Sequence, residues 1–101
     1  MTETVAVHYA SQNNAWIEFF VFVNRKDVDE AEAAARRAVD EYWSSDDLCY
    51  GDAIEAEMDR TGLPYQLKLC DFDEMTDEPT DEWKCYCAAV HSKVPVVDIG
   101  F

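Results

Sequence analysis

Ala15-Trp16-Ile17-Glu18-Phe19-Phe20-Val21-Phe22-Val23 is the stretch on which the fold turns. Aromatic and β-branched residues fill it, and these favour the pleated, packed surface of a strand. Side chains on a strand alternate between its two faces. Ile17, Phe19, Val21 and Val23 therefore share one face, and Trp16, Glu18, Phe20 and Phe22 share the other. Both faces are mostly apolar. Such a strand is expected at the centre of a sheet covered on both sides, or with one side turned to a partner. The apolar run from Trp16 to Val23 contains Glu18 and is far shorter than the roughly 20 residues that span a bilayer.

Before it, residues 4–10 also alternate, with Val5, Val7 and Tyr9 on one face. Ser11, Gln12, Asn13 and Asn14 form a turn cluster, because Asn tolerates the left-handed backbone that hairpins use. A β-hairpin over residues 4–23 follows. After it, residues 27–43 read as an amphipathic helix. Val28, Ala31, Ala35, Ala38 and Tyr42 form one apolar stripe at 3-4-3-4 spacing. The small alanines let this helix lie close to a sheet. Glu32 with Arg36, Arg36 with Asp40, and Arg37 with Glu41 stand four apart and pair locally.

A second helix is expected over residues 52–61, capped by Asp52 with Glu55 completing a capping box. Gly62 and Pro64 end it. Residues 65–70 alternate as a strand, and the acidic run from Asp71 to Glu82 reads as an exposed loop. Residues 83–91 carry aromatics, a valine, and cysteines two apart. A helical stripe of Trp83, Cys87 and Val90 competes there, but the composition favours a strand. Residues 94–99 read as a final strand, placed at an edge by Pro95. The expected fold is a single α+β domain over residues 1–101, in the order ββααβββ. It has an antiparallel sheet of four to five strands and two helices on one face.

Charge is the unusual property. Twenty-two acids face eight bases, a net −14 over 101 residues. Residues 44–82 hold thirteen acids against Arg60 and Lys68, a net −11, while the flanking parts are at −4 and +1. Asp46, Asp47, Asp52, Glu55, Glu57 and Asp59 fall on and before the second helix. Asp73, Glu74, Asp77, Glu78, Asp81 and Glu82 fall on the later acidic segment. These twelve are the candidate partner-binding residues. Such a charge repels nucleic acid and anionic membrane, and attracts a cationic protein, of the kind that normally binds nucleic acid. A row of carboxylates approximates a row of phosphates. The expected function is thus a non-enzymatic acidic inhibitor of a nucleic-acid-binding protein, of the anti-CRISPR or anti-restriction type found in phages. The alternative is an interaction or assembly module that uses an apolar sheet face or edge, and a small metal-binding protein comes third.

Chemistry has thinner support in the sequence. Met1-Thr2-Glu3-Thr4 lacks the basic start of a secretory leader, so a cytoplasmic location with reduced thiols at Cys49, Cys70, Cys85 and Cys87 is expected. Cys85 and Cys87 on a strand would point the same way as His91, and Cys49 or Cys70 would complete a metal set. The C-x-C spacing is nevertheless poor for zinc, and no metal or other cofactor is assigned. Asp71, Asp73, Asp77 and Glu82 fall on calcium-loop positions, but Thr76 stands where that loop needs Gly. No phosphate loop or nucleophile elbow is present. Tyr50, Phe72 and Trp83 flank the acids; burial in the core is favoured over partner contact for each.

Overall fold

The hairpin forms where the alternation places it. In the computed structural model, which describes residues 3–11, 17–44 and 49–100, β1 (Thr4–Ser11) pairs antiparallel with β2 (Ile17–Asn24). Val7 stands opposite Val21, and His8 opposite Phe20. The Gln12–Asn14 turn, Trp16, Asp46 and Asp47 lie outside the described residues.

A short 3-10 turn, Arg25–Asp27, leads into α1 (Val28–Ser44). Ala31, Ala34, Ala35 and Ala38 on α1 are fully buried against Val7, Phe19 and Val21. Alanine adds little bulk, so the helix backbone seats directly on the sheet. α2 (Tyr50–Thr61) folds back alongside and contributes Ala53, Ile54 and Met58 to the same core. It starts two residues earlier than expected, with Cys49 at the cap and no side-chain cap bond, so Asp52 lies inside the first turn rather than capping it. Gly62 ends α2 as expected, in the left-handed conformation at φ 73°, with its N–H on the Asp59 carbonyl. Two helices return the chain to its starting end, so β3 (Gln66–Leu69) pairs antiparallel with β2.

The acidic segment is more ordered than a loop. β4 (Phe72–Asp73) and β5 (Glu78–Pro79) form a two-stranded ribbon. Then comes the principal correction. Residues 83–91 are not a strand; they lie within α3 (Asp81–Lys93). Thr80 caps it, its hydroxyl accepting from the Trp83 N–H at 3.1 Å. Asp81 and Glu82 occupy the first turn, and His91 and Lys93 the last, in agreement with the helix dipole. Trp83 and Val90 are buried, and Tyr86 and Cys87 half-buried. Their 3-1-3 spacing is one helical face. Propensity for strand lost to capping and tertiary packing.

This changes the topology at the end of the chain. β6 (Val96–Asp98) emerges from a helical crossover, so it runs parallel to β1, not antiparallel. The sheet order is β3-β2-β1-β6, with β6 at an edge as Pro95 suggests. The fold is α+β, with three helices and a four-stranded sheet plus the small ribbon among the described residues. α1 and α2 cover one face. α3 covers the other, where Ala6, Phe20, Cys70, Trp83 and Val90 form a second core.

Phe20 is fully buried under α3, with its ring 5.7 Å from Trp83 and 5.8 Å from Tyr86. Phe20→Ala is expected to cost about 3–5 kcal/mol, lowering the urea midpoint by about 1 M or more. Phe22→Ala, at a half-buried position, should cost less. Equal small losses in urea unfolding would show that α3 does not pack on this face.

Candidate functional site

Two groups of residues carry the chemistry. The first is a polar node on the α3 side of the sheet. β1 aims His8 at this face, next to Phe20 and opposite Asp98 in the parallel register with β6. The His8 ring stacks on Phe20 at 4.4 Å between centroids. Its Nε2 faces Glu18 Oε2 at 2.8 Å, and its Nδ1 faces Asp98 Oδ1 at 2.6 Å. The side chains of His8 and Glu18 are each 12% exposed, and that of Asp98 is 62% exposed. A ring between two carboxylates donates from both nitrogens as the imidazolium. Burial opposes that charge, but the hydrogen bonds to Glu18 and Asp98, and their charges, outweigh it, so the His8 pKa is raised.

α3 brings two more groups to the node. The Cys87 thiol approaches Glu18 Oε2 at 3.5 Å. Burial, with the charge of Glu18, pushes this thiol up to about 12. His91, one turn further on, meets His8 edge-on at 5.4 Å. Ligand atoms of His8, His91 and Asp98 all lie within 4.8 Å of one another. They line an open cleft of about 420 Å³ together with Ala10 and Gly100.

The cysteine-based metal set is not assembled. Residues two apart on a helix point about 200° away from each other, so Cys85 is exposed while Cys87 faces the sheet. Cys49 is exposed and Cys70 is buried. Burial pushes the Cys70 thiol up to about 12, with the charges of Glu18 and Asp71 adding to it. Of the proposed ligands, His91 alone reaches a cluster, and its companions are His8 and Asp98.

The second group is the acids. Asp52, Glu55 and Asp59 are exposed on α2 at 3-4 spacing, a single stripe along the helix. Glu57 does not belong with them. Its side chain is 6% exposed and is held by Arg37 at 3.1 Å and Arg60 at 2.9 Å, so it ties α2 to α1 rather than facing outward. Asp73, Glu74, Asp77, Glu78, Asp81 and Glu82 are all exposed, as is Asp71. Asp59 accepts a hydrogen bond from the Tyr65 hydroxyl at 2.9 Å. Among the described residues, one cation reaches these ten carboxylates, Lys84 at 3.9 Å from Asp81.

The two acidic segments lie on opposite layers and meet at β3. Leu67 and Leu69 pack toward α2, while Cys70 and Phe72 join the core under α3. Lys68, between them, lies over the Tyr86 ring at 5.4 Å. The two acidic segments therefore lie toward opposite faces of the sheet instead of forming one flat face. Trp83 is core, at 2% exposure, and Tyr50 and Phe72 are half-buried against the two cores. No protein family, curated protein or solved structure matches this chain.

Thiol reactivity follows thiolate content and access. An alkylating reagent near pH 8 should label Cys49 and Cys85 and modify Cys70 and Cys87 at least about tenfold more slowly, as read by mass spectrometry. Uniform labelling of all four in the folded protein would contradict the burial of the two thiols.

Protonated His8 stabilises the fold, because the folded ring holds its proton more tightly than the unfolded one, whose pKa is near 6.5. The contribution is complete below pH 6.5 and is lost as pH rises through the raised folded value. Taking the protein from about pH 6 to pH 9 should lower the urea midpoint of the wild type more than that of His8→Gln. Parallel pH profiles for the two proteins would show that His8 is not held charged.

Proposed function

We propose that the protein is a non-enzymatic acidic binding protein that occupies the cationic surface of a nucleic-acid-binding protein and inhibits it, in the manner of anti-CRISPR or anti-restriction proteins. The observation that carries this reading is the set of ten exposed carboxylates between Asp52 and Glu82, answered among the described residues by a single cation at 3.9 Å. Some acids elsewhere are paired locally, Glu32 with Arg36 at 3.1 Å and Glu3 with Arg25 at 2.6 Å. Charge left unanswered on one region creates a field that steers oppositely charged surfaces into contact. On α2, the acids at 52, 55 and 59 recur about every 4.5–6 Å along the axis. Together with the acids of the β4–β5 segment, they suit a cationic cleft. Met75 projects from the ribbon at 94% exposure and supplies an apolar contact within the acids.

The apolar-module reading loses its main surface. The Phe-rich face of β2 is occupied by α3, with Phe20 fully buried.

The test is capture of nucleic-acid-binding proteins on the immobilised chain, followed by elution with salt or with duplex DNA. Screening shortens from about 10 Å at 0.1 M salt to about 3 Å at 1 M. Bound protein should leave in moderate salt, should be displaced by DNA, and should bind at least about tenfold more weakly to an Asp52→Asn, Glu55→Gln, Asp59→Asn variant. Retention that ignores salt, DNA and these substitutions would refute the charge mechanism.

A further inference from the structure

We infer that His8, His91 and Asp98 form a binding site for a divalent transition-metal ion of the zinc type, with Glu18 positioning His8 from the interior side. This goes beyond the acidic-surface reading and does not depend on it, because none of the three ligands belongs to that surface.

Three observations converge. First, the donor set is two imidazoles and one carboxylate, with ligand atoms within 4.8 Å of one another. Zinc takes histidine nitrogen and carboxylate oxygen at about 2.0–2.2 Å, so ligands on a shared ion stand about 3.3 Å apart. His91 and Asp98 are exposed, so rotation of their side chains can bring them to that spacing, while Glu18 holds His8 in place. Second, His8 Nε2 is held by the nearly buried Glu18 carboxylate at 2.8 Å. A metal-bound histidine commonly donates its other ring N–H to a carboxylate, which fixes the tautomer and turns the free nitrogen toward the ion. That nitrogen here is Nδ1, which faces Asp98 Oδ1 at 2.6 Å. A metal ion would replace the proton now shared between them, and the proton would pass to solvent. Third, the three ligands border an open cleft of about 420 Å³, which leaves room for water or a small ligand in a fourth position.

The donor set also selects the ion. Magnesium and calcium prefer six or more oxygen ligands, whereas imidazole suits zinc and its transition-metal neighbours. The surrounding carboxylates attract any cation weakly, so selectivity is the property to measure.

The experiment uses the full chain, stripped with a chelator and placed in millimolar magnesium to occupy the surface acids. Zinc is then titrated by calorimetry. One ion per chain is expected, with a Kd in the micromolar range or tighter. His91→Ala and Asp98→Asn should each weaken zinc binding at least about tenfold while circular dichroism and the urea midpoint show a folded protein. Both positions are exposed, so neither substitution removes core. Glu18→Gln should weaken binding without removing a ligand. Absence of saturable zinc uptake would overturn the inference. So would wild-type affinity in His91→Ala or Asp98→Asn, which would place the ion among the surface carboxylates instead.

Discussion

Phe19 and Phe20 are neighbours in sequence, point to opposite sides of one strand, and are both fully buried. Burying each contributes about 1.5–3 kcal/mol relative to exposure, and a single helical layer can cover only one of them. The rest of the architecture follows from that requirement. The α1–α2 pair covers the Phe19 side, with buried alanines bringing α1 close to the sheet. α3 covers the Phe20 side, with Trp83 and Tyr86 closing around the ring. The chain crosses from β3 to β6 through the ribbon and α3, and β6 runs parallel to β1, the same direction as β3.

Glu18 is the exception in this apolar strand, and its position organises the polar node. A carboxylate removed from water is costly unless it is paired and hydrogen-bonded. β2 has no cation, so the partner comes from across the hairpin. The register sets His8 opposite Phe20, diagonal to Glu18. Imidazole fits where lysine would not, since it stacks flat on Phe20 while its two nitrogens face Glu18 and Asp98. A chain of polar groups thus runs from the interior at Glu18 to solvent at Asp98. It places His8 and His91 beside a cleft without leaving a bare charge in the core.

The sequence made the β1–β2 hairpin, α1, the Gly62 stop and the edge position of β6 legible, because each rests on a local signal. The two apolar faces of β2 called for two covering layers, yet the layer over Phe20 was misread. In α3 the exposed face carries Cys85, Ala88 and Ala89. These residues blur the contrast between faces and make the segment resemble a buried strand. Thr80 followed by Asp81 and Glu82, with His91 and Lys93 ten residues on, was the countersignal. That error hid the His8 node, since His91 and Asp98 reach it through α3 and β6. Glu18 alone was visible as a charged residue in an apolar strand in need of a partner. The acids were legible as a composition but not as a surface. Glu57 differs from Glu55 in nothing but its angle around the helix, and that angle turns it toward Arg37.

The same helix therefore holds acids with two roles. Glu57 binds α2 to α1 through Arg37, with Arg60 of its own helix as a second partner, and removing one partner of such a nearly buried group leaves charge less compensated. Asp52, Glu55 and the ribbon acids face solvent and add nothing to either core. Their mutual repulsion opposes the compact state, so their concentration in one third of the chain is not explained by folding. An edge strand is a template for pairing with another chain, and charged side chains beside such an edge disfavour that pairing. A partner carrying the opposite charge meets no such barrier. A field of one sign that disfavours self-association would also favour a partner of the opposite charge.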